Sequence, residues 1–197
     1  MPGERPTRER IVDEAMRLFG ERGYAATTVA DIESAAGLAG GGGGLYRHFP
    51  SKRALLEAGV RRQIRSNAAL LERLAAGVDP DAGRAEQLAA MGRAGVERLD
   101  QERDLNRLLL RDLRHFPDLL AAAAEQDIGP VLAALAGWLD RQGGPDDLDT
   151  AALAAVIAGA TSHYWLLSDI FGEHPSGVPV ERFVAALGRL VAAQLEQ

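Results

Sequence analysis

The sequence contains no cysteine, so disulfides and thiolate metal sites are excluded and no thiol redox chemistry runs through it. Aromatic residues make up only 5% of the 197, which argues against a sheet of β-branched and aromatic strands. The abundant alanine, leucine and arginine favour helices packed through small side chains. Lysine is almost missing, and Lys52 is the single one among 22 basic residues. An apolar run of full bilayer length is lacking as well. The longest, 151–167, falls just short and contains Thr161, Ser162 and His163, so it reads as a buried helix. The N-terminal MPGERPTRER has charges of both signs and no apolar segment behind it, unlike a secretory signal. The expectation is a cytoplasmic all-α protein with no membrane partner and no cofactor.

Charge is present but uneven. The formal net charge of −6 argues against a general nucleic-acid binder, because phosphate attraction drives non-specific affinity. Residues 1–65, however, hold 11 basic against 8 acidic residues, net +3, and the remainder carries −9. A basic head on an acidic body confines any DNA contact to the head.

Periodicity divides the chain further. Ile11, Ala15, Leu18 and Phe19 recur at helical spacing in a helix over 7–22 that Gly23 stops. Thr27 or Thr28 caps a short second helix with Val29 and Ile32 inward, and Gly37 ends it. After a glycine run, Leu45 to Phe49 forms one or two helical turns closed by Pro50, and Ser51 caps a long helix through Leu55, Leu56, Val60 and Ile64 towards Leu74. Beyond the GVDPDAG loop come helices around Leu88–Leu99 and Leu105–Phe116. A run from Asp118 to Gln142 should be kinked or divided by Pro130. Asp149 caps a helix to Phe171, and a last helix spans 180–196.

Two short helices joined by a turn and followed by a long connector suit DNA, the first bracing the backbone while the second enters the major groove. The stretches IVDEAMRLFGERGY, ATTVADIESAAGL and LYRHFPSKRALL, in that order between Ile11 and Leu56, resemble the N-terminal domain of the tetracycline-repressor (TetR) family of bacterial regulators. The resemblance implies backbone clamps at Thr28, Tyr46, His48 and Lys52. Where members of the family place a cap and polar side chains before the L-Y pair, this chain has Ala39 and Gly40 to Gly44, in a turn about two residues longer than usual. Five helical glycines would sacrifice roughly 5 kcal/mol relative to alanine. The turn is therefore expected to extend through at least Gly41, with a short recognition helix starting near Gly42 or Gly43. Base reading then falls to Arg47, Tyr46, Thr28 and an arginine of the N-terminal arm, Arg5 or Arg8. Two readings of the glycines stand: close backbone approach to phosphate through Gly43 and Gly44, or a flexible, poorly specified segment.

The resemblance also implies the layout of the rest. Residues 1–50 are expected as a three-helix helix-turn-helix DNA-binding domain. A connecting helix over about 51–76 joins it to an effector-binding and dimerisation bundle ending at 197. Ala155 and Gly159 permit close helix approach, while Phe183, Leu187, Leu190 and Val191 supply apolar area for a homodimer on double-stranded DNA. Rare aromatic and polar residues within aliphatic helices, namely Arg111, His115, Phe116, Trp138, His163, Tyr164 and Trp165, are the candidates for holding a small apolar or aromatic effector. Ligand binding would move the long helix and alter the spacing of the DNA heads, which describes a repressor released by its effector. No phosphate loop, HExxH or GxSxG motif is present, and Asp112 with His115 lacks the partners of a di-metal set, so neither catalytic nor metal residues are expected. The alternative reading is a helical ligand-binding or adaptor protein with a degenerate DNA-binding head.

Overall fold

Apolar residues spaced i, i+4, i+7 and i+8 from Ile11 to Phe19 give α1 (Thr7–Arg22) one fully buried stripe, around which the first part of the protein assembles. The computed structural model describes residues 6–38, 44–76, 79 and 81–196, and every regular element among them is helical. The chain divides into two compact units, Met1–Asn67 with Glu102–Ala124 and Ala68–Gln101 with Glu125–Gln197.

The first unit contains α1, α2 (Val29–Ala35), a single 3-10 turn at Leu45–Arg47, the beginning of α3 (Lys52–Ala76), α5 (Arg103–Arg111) and α6 (Pro117–Ala123). It is larger than the expected domain of residues 1–50. The reason is hydrophobic: Leu105, Leu108, Leu113 and Leu119 complete the same core as Ile11, Phe19, Ile32, Leu45, Leu55 and Val60. Close approach of α5 to α1 depends on Gly20, because a Cβ there would lie 2.7 Å from the Asp104 backbone. Arg111 then donates from Nη2 to the carbonyls of Phe19 and Gly20 at 2.7 and 3.0 Å, satisfying acceptors at the C-terminal end of α1.

The second unit contains α4 (Arg84–Gln101), α7 (Gly129–Gln142), α8 (Thr150–Phe171) and α9 (Val180–Leu195). Its core is Leu88, Leu139, Ala154, Ile157, Val191, Ala192 and Leu195. The run expected to be kinked or divided at Pro130 is interrupted just ahead of that proline. A π-helical turn, Ala124–Ile128, intervenes, and the proline falls in the first turn of α7, where its missing N–H has no intrahelical partner to lose. Only one face of α8 is buried, formed by Ala154, Ile157, Thr161, Tyr164 and Trp165, whereas the sequence suggested a buried helix. Val156, Ile170 and Phe171 are exposed. By length and composition alone α8 and the run Pro117–Gln142 are long and apolar enough to cross a membrane, a test that core helices of soluble proteins also pass.

Helices α4 and α9 meet at backbone distance. A Cβ on Gly188 would lie inside contact distance of the Ala85 carbonyl oxygen and 3.1 Å from the Ala89 nitrogen. Backbone cannot swing aside as a flexible side chain can, so Gly188→Ala should push the two helices apart. Overpacking of this kind costs about 1–3 kcal/mol. The expected outcome is a lower denaturant midpoint with unchanged m-value, and a midpoint equal to that of the wild type would contradict the close approach.

Candidate nucleic-acid interface

Helix α2 begins with a reciprocal cap. Thr28 Oγ1 accepts from the Asp31 N–H at 3.1 Å, and the Asp31 carboxylate accepts from the Thr28 N–H at 2.8 Å and from its hydroxyl at 2.6 Å. These bonds hold the Asp31 pKa below the ordinary carboxylate range. Thr28 is exposed, with its hydroxyl proton committed to Asp31. Its neighbour Thr27 is fully buried and bonds the carbonyls of Leu18 and Gly23. Helix α2 ends at Gly37, whose φ of +66° suits glycine and strains other residues.

Gly43, the expected start of the recognition helix near Gly42 or Gly43, and Arg5 all lie outside the described residues. Past them, Gly44 leads into the 3-10 turn, and a residue that sequence reasoning missed fixes that turn. Glu33 is buried, and its carboxylate accepts the Leu45 N–H at 2.8 Å. A signal existed, since Val29, Glu33 and Ala36 share i, i+4, i+7 spacing, which puts a charge on an apolar face where it needs a partner. Leu45 and Phe49 point into the core, so the three residues between them project outward: Tyr46 is 56% exposed, and Arg47 and His48 are also exposed. The Arg8 guanidinium lies 4.6 Å from the Phe49 ring centre.

Lys52 behaves differently from the expected phosphate clamp. Its ammonium is part-buried, donates to the carbonyls of Tyr24 and Thr27 at 2.7 and 2.8 Å, and sits 4.1 Å from the centre of the Tyr24 ring. Burial lowers its pKa from the ordinary lysine range. Lys52 thus fastens the α1–α2 connection to the start of α3, where Ser51 Oγ accepts the Ala54 N–H at 3.0 Å.

The seven effector candidates separate. Arg111, His115 and Phe116 belong to the first unit: Arg111 caps α1, His115 is exposed beside Arg114, and Phe116 packs edge-on against Tyr24. In the second unit, Trp138 lines an apolar cavity of about 430 Å³ whose wall includes Met91, Leu99, Ile157 and Ala158. Tyr164 and Trp165 line another pocket with Val96 and His174, and the buried Trp165 indole N–H has no hydrogen-bond partner among the described residues. His163 is exposed. The dimer candidates also divide by helix face. Ala155, Gly159 and Leu190 are exposed, the last by 69%, whereas Val191 is core, Leu187 packs on that core and Phe183 stacks on Tyr164 at 4.3 Å. Those three are turned inward because they fill the space between α9 and its neighbours. No group of three or more His, Cys, Asp or Glu that could hold a metal occurs among the described residues.

A capped short helix, a turn, a second short helical element with three outward polar residues and a capped long helix define a helix-turn-helix head. Residues 11–58 match the model for bacterial regulatory proteins of the tetR family. The match covers the helix-turn-helix head, about a quarter of the chain. YvkB of Bacillus subtilis (strain 168), named an uncharacterized HTH-type transcriptional regulator, is 28% identical over 121 residues, 61% of this chain and 60% of its own length. The HTH-type transcriptional repressor KstR2 of Rhodococcus jostii (strain RHA1) is 44% identical over 59 residues, 30% of this chain and 28% of its own length. These matches span less than two thirds of either curated relative. The crystal structure of a TetR-family transcriptional regulator from Pectobacterium atrosepticum superposes with a TM-score of 0.61 at 29% identity, covering 97% of this chain and 95% of that one.

Replacing Lys52 by methionine keeps the apolar stem and removes the donors from two loop carbonyls. The loss of charge-assisted hydrogen bonds costs about 1–3 kcal/mol. Lys52→Met is expected to lower the denaturant midpoint of the free protein. If stability is unchanged and only DNA affinity falls, Lys52 is a phosphate contact after all.

Proposed function

We propose that the chain is a dimeric, ligand-responsive transcriptional repressor that uses its first unit to bind a palindromic operator. The observation that carries this reading is the outward trio Tyr46, Arg47 and His48, held from beneath by Leu45, Phe49 and the Glu33 bond. Tyr46, His48 and Thr28 suit phosphate contact, and Arg47 is the side chain long enough to reach base edges. A two-fold pair of heads would meet half-sites about 34 Å apart, one turn of DNA. The exposed small and apolar residues Ala155, Val156, Gly159 and Leu190 suit a covering second copy. The cavity beside Trp138 suits an apolar effector. Effector and DNA then oppose each other through one coupling free energy, of order 1–3 kcal/mol. A cytoplasmic, non-enzymatic role without membrane attachment fits the same reading.

Equilibrium binding to duplex DNA flanking the protein's own gene, followed by fluorescence anisotropy at several salt concentrations, tests the head. Wild-type affinity should fall steeply with salt. Arg47→Ala should erase about 1–3 kcal/mol of preference over a scrambled duplex, while Tyr46→Phe should weaken both duplexes alike. A Tyr46→Phe, Arg47→Ala double variant that binds like wild type at every salt concentration sinks the interface.

A further inference from the structure

Four polar residues interrupt the apolar wall of the cavity beside Trp138: Arg98, Arg141, Thr161 and Ser162. Hydrogen bonding decides which of them a ligand can use. The Thr161 hydroxyl donates to the Ile157 carbonyl at 2.8 Å, within its own helix. Arg98 is paired with Asp127 at 2.5 Å, and their side chains are only 12% and 5% exposed. That end of the cavity is electrically neutral. Arg141, in contrast, is exposed, and no acceptor among the described residues meets its guanidinium.

The two arginines stand at opposite ends. Arg84, the first residue of α4, donates to the carbonyl of Gln142, the last residue of α7, at 2.9 Å. Arg98, near the end of α4, meets Asp127 just ahead of α7. The helices are therefore antiparallel, and the cavity runs along α7 from Val131 to Arg141, about 15 Å at the helical rise. A wholly apolar ligand would gain nothing from Arg141, and a cation would be repelled by it. An anionic head gains a charge-assisted, bidentate contact with a guanidinium that has no competing partner among the described residues.

We infer that the ligand of this cavity is an amphiphile with a single anionic head, its apolar body lying along α7 and its head on Arg141. The inference rests on the reading of the cavity as the effector site. Its test uses the full chain with sodium decanoate, decan-1-ol and decyltrimethylammonium below their micellar concentrations, binding being read by calorimetry and by quenching of Trp138 emission, with Trp138→Phe as the control. Decanoate should quench Trp138 and bind at least about tenfold more tightly than decanol, the scale of one charged hydrogen bond. Arg141→Gln should bring decanoate down to the decanol level while leaving decanol binding and the thermal midpoint unchanged. If decanol or the ammonium binds as well as decanoate, or if the preference survives in Arg141→Gln, the anionic-head assignment is overturned and the cavity reading stands. If none of the three probes quenches Trp138, the cavity reading falls with it.

Discussion

The exposed trio of the head has no regular structure of its own to hold it, and its position depends on one buried hydrogen bond. The 3-10 turn of three residues has only the His48 and Phe49 N–H bonds to the Leu45 carbonyl, both 2.9 Å, far short of what a self-supporting helix requires. Glu33 supplies the missing constraint by extending the electrostatics of α2 across the turn to the Leu45 N–H. With that amide fixed, Leu45 and Phe49 reach the core, and the side chains between them have nowhere to go but outward. A buried carboxylate is costly to desolvate, and this one offsets the cost by receiving an amide that would otherwise be unsatisfied.

The same economy recurs where positive charge is turned inward. Lys52 and Arg111 both end on backbone carbonyls of the α1 to α2 region, from α3 and α5 respectively. Helix ends and their connections leave acceptors that the helices themselves cannot satisfy, and long basic side chains reach them from neighbouring elements. The basic surplus of the first 65 residues is thus only partly available to phosphate. Of the outward arginines, Arg17, Arg53 and Arg61 are paired with carboxylates, whereas Arg47 stands exposed on the turn itself.

This division explains what could be read from the sequence. Helix bounds were legible because they are local: α1 spans 7–22 as its stripe predicts, Thr28 caps α2, Ser51 caps α3 and Asp149 caps α8. The inward or outward fate of a polar side chain was not, because its partner lies far along the chain. Arg111 looked like a rare charge in an aliphatic helix and hence a ligand residue. Its acceptors are 91 and 92 residues away. Helix α8 posed a different difficulty, since a helix apolar on every side carries no moment to show which face packs. Its Trp165 turned inward, while His163, two residues away, faces out.

Affinity provides the final constraint on the proposed assembly. Three outward side chains per head supply few phosphate contacts, and the acidic remainder of the chain repels DNA. One head alone would bind weakly. Two heads held in fixed relation make the second contact intramolecular, raising its effective concentration without any new side chain. In the proposed dimer the spacing of the heads would then govern affinity more strongly than any single residue at the interface. On the proposed reading, a regulator with so sparse a reading surface is best controlled by geometry, since a ligand that changed the spacing of the heads would remove that gain while leaving each head intact.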